Sequence, residues 1–136
     1  MQAGREKGAS VGSKSIRVFV VEDEALIRMM VVEMLEELGH TIAAEAGHLD
    51  KAAELARSID FDLALLDVNV DGKLITPVAN LVAARGLPII FATGYGAVGL
   101  PEEFRGHATL AKPFELSALR ATIDAVTACA PQASNR

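Results

Sequence analysis

Five polar side chains in this sequence each follow an apolar run, and their types together suit phosphoryl chemistry. Glu22 and Asp23 follow IRVFVV at residues 16–21, and Asp67 follows FDLALL at 61–66. Thr93 follows LPIIFA at 87–92, and Lys112 follows HATLA at 107–111. Carboxylates crowded together without a partner repel and raise one another's pKa values. A hard divalent cation relieves that repulsion, and Mg²⁺ takes one or two carboxylates, waters and phosphate oxygens. A lysine adds a positive point charge and a threonine a hydroxyl donor, so the set suits a phosphoryl group in flight. In such a site the metal and Lys112 neutralise the transferring oxygens, and Asp67 is the nucleophile. Each piece alone is bland: an Asp or Thr closing a strand commonly caps the next helix. It is their succession, each after a separate apolar run, that points to one site.

Positioning these residues requires strands that lie side by side. The run at 16–21 is short, apolar and rich in β-branched residues, and short apolar runs recur at 61–66 and 87–92. Unbroken apolar strands are what a parallel sheet covered on both faces requires. Weaker strands are expected at 41–46 and 107–111. Helical spacing falls between them, over 24–38 with Gly39 as the stop, over 49–58, from near Pro77 to Gly86, and over 116–128. Residues 94–106 (GYGAVGLPEEFRG) hold four glycines and a proline in thirteen residues. Each interior Gly costs a helix about 1 kcal/mol and a Pro about 3 kcal/mol, so a loop or one frayed turn is expected there. Such alternation predicts an α/β fold, a flavodoxin-like, doubly wound five-stranded parallel sheet. Its expected strand order is 2-1-3-4-5, with the fourth helix short or irregular. Ligands of such sheets bind beyond the carboxyl ends of the strands, where the five polar residues stand.

The chain's 136 residues fit one domain, and 51% apolar with 23% charged residues is a globular composition. Thirteen basic and eighteen acidic residues leave a net charge of −5, without the clustered basic face that nucleic acid needs. Cys129 is the single cysteine, which excludes an intramolecular disulfide and a cysteine metal cluster. No apolar h-region precedes Ser15 and no run approaches the ~20 residues of a membrane span. A cytoplasmic protein, a monomer or weak dimer, without nucleic-acid or membrane partners, is the expectation. Flexible tails are expected at 1–14 and 130–136, around a domain at 15–129.

The motifs VVEDE, LLDVN, FATG and AKPF resemble the receiver domains of response regulators, and the likeness runs over residues 16–128. Carried over residue by residue, the resemblance makes Asp67 the phospho-acceptor. Asp23 and Asp67 become direct Mg²⁺ ligands, and Glu22 a ligand directly or through water. Asn69 would lend the metal its backbone carbonyl. Thr93 becomes the hydroxyl that contacts the phosphoryl group, and Lys112 its paired cation. A cis Lys112–Pro113 bond is implied as well. The longer run FATGYG at 91–96 is similar to the single-domain FATGUY receivers of α-proteobacteria. Their partners are sensor histidine kinases of the HWE or HisKA2 type, some tied to stress signalling. The implied function is phosphorelay signalling without a DNA-binding output domain, with catalysis limited to the chain's own phosphorylation and dephosphorylation. A downstream protein or phosphotransfer partner would then read the signal. The alternative is a receiver-like binding module that works without phosphorylation. Asn69 and Tyr95, two residues past Asp67 and Thr93, are expected to tune the lifetime of the phosphorylated state. Thr109 stands where many receivers carry a switching aromatic, a departure from the family pattern.

On the first helix, Ile27, Met30, Val31, Met34, Leu35 and Leu38 form the expected core stripe. Ala25, Met29 and Val32 fall opposite, as a candidate kinase-docking ridge. Other motifs carry less. The stretch from Asp67 to Gly72 opens like an EF-hand loop, but Val78 occupies the twelfth position where a bidentate Glu belongs. Aspartate-nucleophile phosphatases usually need a second Asp where this chain has Asn69. His40, His48 and His107 read as ordinary surface histidines.

Overall fold

The computed structural model of the chain describes residues 14–94 and 99–134. Of the expected tails, residues 1–13 and 135–136 lie outside the described residues. Strand β1 (Arg17–Val21) leads to α1 (Ala25–Glu37), β2 (Thr41–Ala46), α2 (Leu49–Ser58) and β3 (Leu63–Asp67). A short hairpin, β4 (Asn69–Val70) and β5 (Lys73–Leu74), precedes α3 (Thr76–Ala84). Then come β6 (Ile89–Thr93), a 3₁₀ turn (Glu102–Phe104), β7 (Ala108–Ala111) and α4 (Leu116–Ser134).

The five long strands form one sheet in the order β2-β1-β3-β6-β7, every pairing parallel. Setting the hairpin aside, this is the expected 2-1-3-4-5 order. Successive strand residues point to opposite faces, so each unbroken apolar run feeds two cores. Phe19 and Val21, with Ala64, Leu66, Ile89 and Phe91, pack against Ala52 and Ala56 of α2 and Val78 and Val82 of α3. Val18, Val20, Leu63, Leu65 and Ile90 pack against Val31 and Leu35 of α1 and Leu119 and Ile123 of α4. Two helices therefore cover each face, which is why these strands show no apolar–polar alternation.

The fourth helix is reduced as expected. Among the described residues, only the 3₁₀ turn at Glu102–Phe104 stands between β6 and β7. Phe104 anchors it in the core, 5.2 Å from the Phe91 ring.

Three departures from the expected elements have physical reasons. Strand β6 begins at Ile89 rather than residue 87; Pro88 has no N–H to give the ladder, though its carbonyl accepts from Ala64 N. Helix α4 continues to Ser134, past the expected end at 128, where Ala130, Gln132 and Ala133 are residue types of high intrinsic helix propensity. Met30, expected in the core stripe, is 58% exposed. It lies one residue, about 100° around the helix, from Val31 at the centre of the buried face. No helix among the described residues is long and apolar enough to cross a membrane.

Candidate functional site

All five sequence-predicted chemical residues meet at the carboxyl edge of the sheet. Asp67 and Thr93 are the last residues of β3 and β6, paired with Ala92 and Ala111. Lys112 follows β7, its N–H bonded to the Thr93 carbonyl. Glu22 follows β1 and its N–H bonds to the Ala46 carbonyl of β2. Backbone ladder bonds thus place Glu22, Asp67, Thr93 and Lys112, and Asp23 follows Glu22 in the turn to α1. Strands β3 and β6 end one residue later than their apolar runs, so Asp67 and Thr93 are held within the sheet, not on loops beyond it.

The side chains lock together. The Lys112 ammonium donates to Asp67 Oδ2 and to Glu22 Oε1, both at 3.1 Å. Glu22 Oε2 accepts from the Glu24 N–H at 3.0 Å, which shapes the turn into α1. Asp67 Oδ1 accepts from the Asn69 N–H at 3.3 Å. The Asp71 N–H donates to Asp23 Oδ2 at 2.8 Å. Arg28 on α1 donates to the Glu22 carbonyl at 2.6 Å and pairs with Glu45 at 3.3 Å, tying the helix to the turn that carries the acidic pair. The Lys112–Pro113 bond is cis.

Electrostatics follow from crowding. Burial pushes the Glu22 carboxyl up to about 7, and the charge of Asp67 adds to it, against hydrogen bonds from Glu24 and Lys112. Burial would raise Asp23 too, but the Asp71 N–H and neighbouring hydrogen bonds outweigh it and hold Asp23 below its ordinary value. Burial would lower Lys112, yet its bonds to Asp67 and Glu22 hold it above the usual lysine value. Three carboxylates therefore share one ammonium.

Carboxylate oxygens of Glu22, Asp23 and Asp67 lie within 4.8 Å of one another. They face an open cleft of about 290 Å³ that Asn69, Thr93, Gly94 and Lys112 also line. Clustered hard oxygen donors with an excess of negative charge, beside open space for waters and a phosphate, fit Mg²⁺.

Residues outside this cluster divide. Asn69 is exposed at the cleft. Tyr95 lies outside the described residues. Ala25 and Met29 are exposed and Val32 is half-buried. Leu26, 71% exposed, and Met30 widen the apolar surface on α1 beyond the expected ridge.

One histidine corrects the sequence reading, while the His48 side chain and His107 are exposed as expected. His40 is buried, its Nδ1 accepting from the Ile16 N–H just before β1 at 3.3 Å, with Asp124 of α4 near enough to act on its charge. His48 pairs with Asp71 at 3.0 Å, and His107 packs edge-on against Phe91 and Phe104. Sequence reasoning also missed the β4–β5 hairpin and Asp71's place in the site. The signal was Asp71-Gly72, since both residues take positive φ, 54° and 75°, as a two-residue hairpin turn requires.

Comparison with known proteins agrees with this geometry. The transcriptional regulatory protein PdtaR of Mycobacterium tuberculosis is 40% identical over 112 residues, 79% of this chain and 55% of that protein. This chain thus spans about half the length of that relative. The solution structure of SdrG from Sphingomonas melonis Fr1 superposes with a TM-score of 0.75 at 34% identity, over 85% of this chain and 98% of that one. The response regulator PhyR from Brucella abortus superposes at 0.72 with 27% identity, over 83% of this chain and 48% of that one. The response regulator receiver domain model matches residues 18–124. That span takes in all of the sheet but Arg17 and all five residues of the acidic cleft, and the chain belongs to the response regulator receiver domain family.

Proposed function

We propose that this receiver accepts a phosphoryl group from a sensor histidine kinase on Asp67, and that the acyl phosphate is its signal. The observation that carries this reading is the Asp67 carboxylate itself. It is buried at the end of β3 and bound to Lys112 at 3.1 Å, yet it opens on a cleft that Thr93 also lines. A nucleophile must be oriented and still reachable, and its surroundings must take up the charge that develops on the transferring oxygens.

In the proposed step an Asp67 carboxylate oxygen bonds to phosphorus as the N–P bond to the kinase imidazole breaks. The electron pair of that bond returns to the ring nitrogen, which takes up a proton. Lys112 moves its hydrogen bonds toward the phosphoryl oxygens, and the Thr93 hydroxyl donates to one of them. Glu22, Asp23 and Asp67, with the Asn69 carbonyl, would hold Mg²⁺, which supplies further charge neutralisation at those oxygens. Attack by water on the acyl phosphate releases inorganic phosphate and restores the carboxylate. The chain catalyses only these two reactions on itself, and Asn69 at the cleft, with Tyr95, two residues past Thr93 in the sequence, sets how fast water arrives. The exposed apolar face of α1, with Ala25, Met29 and Val32 joined by Leu26 and Met30, begins at the acidic turn. A kinase helix bundle of the HWE or HisKA2 type docked there would present its phosphohistidine to Asp67.

Intact mass after incubation with Mg²⁺ and acetyl phosphate tests the reading. Wild type should gain one labile phosphoryl group and Asp67→Asn none. No gain in either would favour a binding module that signals without phosphorylation.

A further inference from the structure

A chain of contacts runs from the protein surface to the Asp23 carboxylate. The N–H of Asp71, at the hairpin tip, donates to Asp23 Oδ2 at 2.8 Å. The side chain of the same residue meets His48 Nδ1 at 3.0 Å. Since a carboxylate can only accept, Nδ1 carries the proton of that bond. One residue thus joins a site carboxylate, through its backbone, to a histidine on the β2–α2 loop, through its side chain.

The hairpin needs such a hold. Each of its strands pairs only two residues, and a two-stranded ribbon is marginal by itself. Its base is anchored, with Val70 fully buried and the Ile75 N–H bonded to the Val68 carbonyl at 2.8 Å. The tip at Asp71 and Gly72 is exposed. Positive φ angles fix the direction of the turn, but not how the tip leans over the cleft.

His48 stands on a fixed base. Its neighbour Gly47 lets the Arg28 guanidinium pass to the Glu22 carbonyl, since a Cβ at position 47 would sit 2.8 Å from Arg28 Nη1. The β2–α2 loop is therefore seated against the same turn that carries Glu22 and Asp23.

We propose that His48 is a positioning residue for the site: by latching the Asp71 side chain, it keeps the Asp71 N–H on Asp23 and so orients that carboxylate toward a divalent cation. His48 touches no reacting atom. Both partners of the latch are exposed, and exposed pairs add little to global stability, so its leverage is local. Groups that orient a metal-binding side chain commonly change affinity by about 10–100-fold when removed. An exposed latch belongs at the lower end of that range. The inference rests on the reading of Asp23 as a ligand given above.

The test uses the full chain as wild type, His48→Ala and His48→Asn. Asparagine is the conservative variant, because its side-chain NH₂ can donate to Asp71 from nearly the same place as Nδ1. The first readout is hydrogen exchange of the Asp71 amide in metal-free protein. Protection should fall in His48→Ala and persist in His48→Asn. The second is Mg²⁺ titration followed by amide shifts. Binding should weaken about tenfold in His48→Ala and stay near wild type in His48→Asn, with unchanged thermal midpoints. Equal Mg²⁺ affinity in wild type and His48→Ala overturns the proposal. So does weakened binding with Asp71 protection intact. A wild type that binds no Mg²⁺ instead removes the metal reading of the site, and this inference with it.

Discussion

Among the described residues, Lys112 is the one cation shared by Glu22 and Asp67, and it sits 3.1 Å from each. Removing one partner of a buried pair leaves the other charges without compensation, which is worse than never having had the pair. Lys112→Met should therefore destabilise the metal-free fold by about 1–3 kcal/mol, read as a lower urea midpoint. Mg²⁺ should restore much of the loss, since it would supply the missing positive charge. An unchanged midpoint would mean that solvent already screens the two carboxylates. Phosphorylation by acetyl phosphate should fall as well, because no ammonium remains to meet the transferring oxygens. The chemistry of these residues was legible in the sequence from type and position alone. The pairing of Glu22 with Lys112 was not, because 90 residues separate them and only the sheet order brings β1 and β7 to one edge.

At the scale of elements, the junction of α1 and β2 carries a buried titratable group outside the acidic cleft. Burial lowers the His40 pKa from 6.5, opposed by Asp124, so the folded state keeps His40 neutral while the unfolded chain takes up a proton. The unfolded state then binds more protons, and stability falls as pH drops below about 6.5. Glu22 runs the opposite way, since a carboxyl raised to about 7 makes the folded state the proton holder and stability falls as pH rises toward 7. Unfolding curves of wild type and His40→Gln from pH 5 to 8 separate the two. The difference between them should grow toward acid, and a flat difference would show that His40 does not titrate on unfolding. Helix α1 bears its own prediction. Met29→Glu on its exposed face should slow transfer from a cognate kinase about tenfold, the effect of one good interface residue. Labelling by acetyl phosphate, which needs no docking, should stay as it was. Equal slowing with both donors would place the defect in the site instead. The exposed pair Leu26 and Met30 makes that face wider than the helical repeat suggested, because how far a core wraps around a helix depends on what packs against it.

For the whole molecule, a ligand that binds only the folded state stabilises it by mass action, about 2.7 kcal/mol at a hundred times the dissociation constant. Mg²⁺ should therefore raise the thermal midpoint progressively, and Asp23→Asn should flatten that response while leaving the metal-free midpoint nearly in place. A rise that persists undiminished in Asp23→Asn would put the ion elsewhere. Most of the architecture was open to reading from residues alone. The short apolar runs in β1, β3 and β6 read as strands buried on both faces because they are too short for buried helices, and four helical segments between and after them supply the cover. Parallel strands in turn place all their carboxyl ends on one edge, so the residues that end the runs had to converge. What sequence could not decide is what depends on distant partners. His40 meets Ile16 and Asp124 only after the chain has folded, and His48 finds Asp71 only once the β4–β5 hairpin leans over the cleft. The Asp-Gly turn was visible as a local signal, but its contact with Asp23 was not. Local pattern determines which elements form and which face each turns to the core; contacts between residues far apart in the chain exist only after the sheet has set their distances.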